Sequence, residues 1–331
     1  MTLIAARPEG LYCEAGDFYI DPWRPVARAV ITHGHSDHAR PGARTYLCHV
    51  DSIPILRRRL GDIDVQGVGY GEIVERDGVR VSLHPAGHIL GSAQVRVEHK
   101  GEVWVASGDY KIEPDGTCAA FAPLRCHGFI TESTFALPIY RWRPQGEVAG
   151  EINSWWRANT DAGRTSVVYA YALGKAQRVL ALLDPAIGVI VAHGAIEPMN
   201  EIYRAHGVAL PATASAEGLS KAELARALVL APPSAAGSPW MRRFPDHADS
   251  FASGWMQVRG QRRRRGVDRG FVLSDHADWE GLLSAIAATG AARVRVTHGS
   301  AATLARYLSE RGLDAEPLSA EYGEDDKGEA A

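Results

Sequence analysis

Three imidazoles and a carboxylate fall within six residues, His33-Gly34-His35-Ser36-Asp37-His38, directly behind an apolar, strand-like stretch at 27–31. Groups crowded this closely would lose solvent without an evident counter-charge unless they shared a cation. Neutral imidazole and carboxylate oxygen are the donors that zinc, manganese and iron accept. Alternate side chains of an extended segment face one way, so the spacing predicts that His33, His35 and Asp37 converge while His38 turns the corner. An exposed histidine-rich loop is the plainer alternative. Against it stand the strand that leads in and three matching groups downstream. His88 lies in Pro85-Ala-Gly-His-Ile-Leu-Gly-Ser-Ala, Asp109 in Ala106-Ser-Gly-Asp-Tyr and His298 in Val294-Arg-Val-Thr-His-Gly. Each joins or follows a strand and has a glycine beside it. The set makes seven N/O donors, which suits two cations sharing Asp109, with a position left open for water.

The elements that must hold these groups change character along the chain. Up to residue 135 the pattern predicts short strands at 18–20, 29–31, 79–83, 94–97, 103–106 and 128–130, with a helix over 52–60. From about 145 helices and strands alternate: helix 146–161, strand 166–170, helix 174–183, strand 188–192, helix 198–206 and a short helix at 222–228. Alternation of this kind implies a parallel sheet. The stretch 253–270 reads as a basic loop, with Arg262, Arg263, Arg264 and Arg265 in a row. Strand 271–273, helix 279–288, strand 293–296 and helix 301–311 return to the first texture. The acidic, glycine-rich tail after Tyr322 is expected to fray. The reading is an α/β insertion, 146–270, inside a metal-binding α/β domain made of 1–145 and 271–331.

Composition sets outer bounds. A chain of 331 residues, 46% hydrophobic and 23% charged, has the balance of a globular protein of one large or two ordinary domains. A net charge of −3 excludes a uniformly basic nucleic-acid binder but not a local basic groove. No leader-like basic-then-apolar start and no run of about 18 apolar residues is present, so neither a signal peptide nor a membrane span is expected. Cys13, Cys48, Cys118 and Cys126 lack C-x-x-C spacing and fit reduced cysteines of a cytoplasmic protein.

The motif order resembles a known family. His33-x-His35-x-Asp37-His38, His88 and Asp109 are similar to the second to fourth motifs of the metallo-β-lactamase superfamily. Thr131-Glu132-Ser133-Thr134, Ser274-Asp275-His276-Ala277 and His298 resemble motifs A, B and C of its β-CASP nucleic-acid-processing branch. More narrowly, Gly10-Leu-Tyr-Cys-Glu-Ala-Gly-Asp-Phe-Tyr-Ile-Asp-Pro-Trp and Leu273-Ser-Asp-His-Ala-Asp-Trp look like the bacterial ligase-associated DNA exonucleases.

The resemblance implies an αββα metallo-β-lactamase sandwich with an inserted α/β cap. It implies two divalent ions, Zn2+ first and Mn2+ second. His33, His35 and His88 would hold one, Asp37, His38 and His298 the other, with Asp109 between. Asp21 would orient ligand imidazoles from behind. His276, held by Glu132, would protonate the leaving oxygen of a phosphodiester. Asp275 either supports that group or caps the helix that follows.

In the cap, Gly174-Lys175-Ala176-Gln177 opens a helix after a strand, and free amides with a lysine would seat a phosphate; the segment also resembles a β-CASP cap motif. Ser253-Gly-Trp255 resembles another cap loop, where Trp255 either stacks a base or anchors the core. The arginine run is either a solvated face or a contact to a nucleic-acid backbone.

The implied activity is hydrolysis of DNA, by an exonuclease acting in repair with a ligase and a helicase. An RNA-processing ribonuclease is the alternative, because His298 stands where the eukaryotic DNA-processing members carry valine. A hydrolase of small thioesters or lactams shares the donors but lacks the Glu132 and His276 pair.

Overall fold

The computed structural model describes residues 2–318, apart from the side chain of Arg262; that side chain and the tail after Tyr322 lie outside the described residues. The chain forms two compact units. One runs up to Arg141 and resumes at His276; the other is Trp142–Asp275.

The first unit holds two sheets. The six-stranded sheet runs in chain order through Ala5–Arg7, Gly10–Cys13, Phe18–Ile20, Arg28–Val30, Thr45–His49 and Val65–Val68. The seven-stranded sheet has the order Asp314–Pro317, Arg293–Val296, Gly128–Thr131, Glu102–Ala106, Ala93–His99, Val79–Pro85 and Ile73–Arg76. Strand periodicity of two sorts the side chains between layers. Val30, Trp104, Ala106 and Ile130 meet in a core between the sheets. Their neighbours Ala29 and Ile31 turn outward under helix Ile53–Leu60, while Val105 and Phe129 turn out under helices Trp279–Thr289 and Ala301–Ser309. The layers are therefore helix, sheet, sheet, helix.

Strand direction collects the polar groups at one end of each sheet. In the larger sheet Glu102–Ala106, Gly128–Thr131 and Arg293–Val296 are parallel neighbours. Val79–Pro85 points the same way, since two antiparallel pairings separate it from Glu102–Ala106. His88, Asp109, Glu132 and His298 follow the C-terminal ends of these four strands. In the smaller sheet Phe18–Ile20 and Arg28–Val30 are parallel, and Asp21 and the 33–38 motif follow their ends. Gly108 lets the two sets approach: at φ +56° a Cβ there would lie 2.6 Å from Thr32 Cβ.

The second unit is built on a five-stranded parallel sheet in the order Ile190–Ala192, Leu228–Ala231, Thr165–Tyr169, His247–Ala252, Arg269–Phe271. Helices Gln145–Asp161 and Lys175–Ala181 cover one face with Trp156 buried beneath. Met241, Phe244 and Met256 pack on the other.

Several sequence expectations are corrected. The 33–38 motif is a turn, not an extended segment: His38 N and Ala39 N both bond back to His35 O, at 3.3 and 2.8 Å. The segment read as one helix over 222–228 is helix Lys221–Leu224 followed by strand Leu228–Ala231. The basic stretch is helical over Arg259–Arg265, closed by Gly266 in the left-handed conformation. The strand expected at 271–273 runs Arg269–Phe271 and pairs inside the second unit.

Candidate metal centre

Hydrogen bonds made by the chain fix which nitrogen each imidazole presents. Thr32 donates its hydroxyl to Asp21 Oδ2 at 2.5 Å, so its oxygen is left to accept from His33 Nδ1 at 3.0 Å. His33 Nε2 then keeps its lone pair. Asp21 also takes Thr32 N at 2.8 Å and His38 Nδ1 at 2.7 Å, which turns His38 Nε2 inward. Asp21 holds this posture at φ +43°. Thr297 repeats the device: its hydroxyl donates to Thr131 O at 3.2 Å and accepts from His298 Nδ1 at 2.9 Å. His276 Nδ1 lies 3.0 and 2.9 Å from the two oxygens of Glu132, and Glu132 is itself fixed by Tyr110 N at 2.8 Å.

Among the presented atoms, two groups share no residue. His33, His35, His88 and Asp109 make one and Asp37, His38 and His298 the other, with the donor atoms of each group within 4.8 Å of one another. His35 Nδ1 is 3.2 Å from His33 Nε2 and 3.0 Å from His88 Nε2. A tetrahedron with bonds of 2.0–2.1 Å to nitrogen has edges of about 3.3 Å, so this spacing suits three nitrogens sharing one ion. Asp109 Oδ2 lies 3.4 Å from His33 Nε2 and 3.3 Å from His38 Nε2, between the groups. The rings of His38 and His298 stack at 5.1 Å and 8°.

Burial supplies the second argument. Asp109 is 1% exposed, and neither of its oxygens nor Asp37 Oδ2 receives a hydrogen bond. Such acceptors are costly unless a cation meets them. Burial, with His38 adjacent, pushes His33 well below the usual imidazole range. Burial works against charge on His38 as well, yet Asp109, Asp37 and Asp21 outweigh it and raise that group well above the usual value. Asp109 is likewise held well below the carboxylate range despite burial, chiefly by His38. The carboxylates thus create a field that calls for positive charge, and imidazole nitrogens point into it. The residues present fit divalent ions.

Beside the first group, the His276 ring lies 4.6 Å from that of His88. Sequence reasoning had passed over three supports: Thr32 and Thr297, and Ser92, whose hydroxyl accepts from His88 N and Ile89 N at 3.1 Å each. Thr32 and Thr297 sit directly before His33 and His298, which was the available signal. Ser92 had none.

The positions in the second unit fare differently. Gly174, Lys175 and Gln177 do not form an open phosphate seat. The amides of Gly174, Lys175 and Ala176 bond to Gln177 Oε1, Leu173 O and Tyr171 O. Gln177 is 0% exposed and spends its Nε2 on Ala172 O and Asn200 Oδ1, while Lys175 is buried and paired with Asp275. Asp275 caps no helix; Asp278 does, accepting from Gly281 N at 2.8 Å. Ser253 Oγ accepts from Trp255 N at 3.3 Å, and Trp255 packs half-buried against the core around Phe251 and Met256. Arg263 and Arg264 are exposed, and Arg265 lies over the Phe251 ring at 4.4 Å.

No protein-family model matches the chain. It is 32% identical over 311 residues to a protein of Opitutus terrae named Probable DNA ligase, a match covering 92% of this chain and 30% of that one. It is 32% identical over 122 residues to Endoribonuclease ysh1 of Schizosaccharomyces pombe and 29% identical over 122 residues to Endoribonuclease YSH1 of Saccharomyces cerevisiae, in each case 36% of this chain and 16% and 15% of theirs. The chain thus spans less than a third of the length of these relatives. A crystal structure of a protein of unknown function from Enterococcus faecalis V583 shares the α/β fold at a TM-score of 0.56 and 12% identity, over 89% of this chain and 80% of that one. The matched segments thus align this chain with parts of proteins named as a DNA ligase and as endoribonucleases.

Proposed function

We propose that the protein is a two-metal-dependent phosphodiesterase that hydrolyses DNA, an exonuclease of the ligase-associated branch of the β-CASP metallo-β-lactamases. In this reading the first unit is the αββα sandwich and Trp142–Asp275 the inserted cap. The observation that carries it is the Glu132-held imidazole of His276, set beside seven convergent metal donors. A lactam or thioester hydrolase has no use for that pair.

Divalent cations held there, zinc first by the imidazole-rich donor set, would supply Lewis acidity toward phosphoryl oxygens and acidify water. The chain's own residues do the rest. Asp21, Thr32 and Thr297 keep ligand tautomers fixed. Glu132 binds Nδ1 of His276, so Nε2 faces the substrate and gives its proton to the leaving oxygen.

The DNA substrate and the association with a ligase are supported by the match, along nearly the whole chain, to part of a protein named Probable DNA ligase; a helicase partner rests on the family resemblance, and a cytoplasmic location on the four free cysteines. RNA is the second reading, favoured by His298 and by relatives named as endoribonucleases. The test is digestion of end-labelled single- and double-stranded DNA and RNA with added Zn2+ or Mn2+. DNA should be degraded from an end, and His276→Ala should lower kcat by about 10²–10⁴-fold. Preferential cleavage of RNA would overturn the DNA reading, and an unimpaired His276→Ala would overturn the proton donor.

A further inference from the structure

Helix Lys175–Ala181 buries two cations one turn apart. Lys175 is 4% exposed and Arg178 1%. Both reach consecutive residues of one segment: Lys175 Nζ pairs with Asp275 Oδ1, and Arg178 Nη1 donates to Ser274 O at 3.2 Å. Asp275 is 2% exposed. All four residues belong to Trp142–Asp275. The next peptide bond carries the chain into the other unit, and the first residue there is His276, fixed by Glu132.

A buried ion pair is poor ground for stability, because desolvation offsets most of its attraction and apolar replacements are often as stable. In some proteins such a pair instead fixes one geometry for the segment that carries it. Here the attached group is the imidazole whose placement governs proton transfer. The surrounding turn is organised for the same end: Gln177 locks Gly174 N, so the helix start that carries Lys175 cannot shift freely.

We infer that Lys175 is a positioning residue for His276, acting through the buried Asp275 carboxylate. This rests on the role proposed for His276 and adds a second anchor to it. Glu132 sets the ring's tautomer, and Lys175 sets where the backbone delivers the ring.

The test removes both charges at once, Lys175→Met with Asp275→Leu, so that no lone charge is left buried. A neutral hydrogen-bonded pair, Lys175→Gln with Asp275→Asn, serves as the second variant should the first fail to fold. Kinetics on labelled DNA, or on RNA if that is the substrate cut, should show kcat lower by roughly ten- to hundredfold, the scale of a misplaced reacting group, with KM nearly unchanged. In a His276→Ala background the same change should cost nothing further, because the residue it acts through is gone. Equal losses in both backgrounds would overturn the positioning role while leaving the nuclease reading intact. Loss confined to KM would also overturn it. Independently of activity, amide hydrogen exchange at 274–277 in the metal-free protein should quicken in the variants, and unchanged exchange would sink the inference even where the nuclease reading itself had failed.

Discussion

At the scale of single residues, the candidate site is shaped by hydroxyls that stand behind the imidazoles. Hydroxyls of Thr32 and Thr297 each give their proton to a neighbouring oxygen and so become acceptors for His33 and His38's partner His298. The two imidazoles nearest Asp109 nevertheless differ in charge preference. Burial leaves His33 well below the ordinary imidazole value, whereas Asp109, Asp37 and Asp21 overcome burial and lift His38 well above it. Protons compete with metal for imidazole nitrogen. As pH falls, a group with a raised value takes its proton first, and one with a lowered value stays unprotonated longest. Acid should therefore release metal in two steps, first from Asp37, His38 and His298, then from His33, His35 and His88. Equilibrium dialysis with metal analysis across pH, repeated on His298→Ala to identify the weaker group, measures this. Simultaneous release of both equivalents, or survival of the first step in His298→Ala, would count against it.

At the scale of elements, the sequence was most informative where alternation and a polar strand end coincided. Val79–Pro85, Ala93–His99, Glu102–Ala106 and Gly128–Thr131 alternate inward and outward and were legible with shifts of one or two residues. His247–Ala252 was not read, though it lies inside the second sheet, because His247, Asp249 and Ser250 mask its apolar pattern; Ser250 satisfies itself through Val167 O at 3.0 Å. The donors in 33–38 were legible as residue types but not in their path. Side-chain alternation assumes an extended chain, and the bonds back to His35 O make a turn instead. Nor could spacing show that the Gly174–Gln177 amides are spent internally, since their partners lie in tertiary structure. Gly108 was legible only as a glycine beside Asp109. Its φ of +56° and the 2.6 Å approach of Thr32 Cβ show what it does. Gly108→Val should destabilise the protein by about 2–4 kcal/mol, combining left-handed strain with overpacking. It should also weaken metal binding, because Asp109 and His33 are drawn apart. Gly150→Ala, where nothing lies within 4 Å, is the control and should not lower stability. Denaturant midpoints and metal titration read both effects, and equal behaviour of the two variants would refute the argument.

At the scale of the whole molecule, the cores of the two units have no residue in common among the described residues. Every residue of the two donor groups belongs to the first unit. A ligand that binds only folded protein stabilises what it binds, by about 2.7 kcal/mol at a hundredfold excess over Kd. For a unit of this size that is roughly 5–10 °C per occupied site. Chelation should consequently lower the melting transition of the first unit and leave that of Trp142–Asp275 in place. Tryptophan separates the two signals: Trp156 is buried in the second unit's core, and Trp104 lies between the sheets of the first. Single-tryptophan variants retaining one or the other, melted with Zn2+ and with chelator, should show a metal-dependent shift for Trp104 alone. Equal shifts of both probes would mean that the molecule melts as one cooperative block, and no shift of either would mean that the seven donors hold no ion.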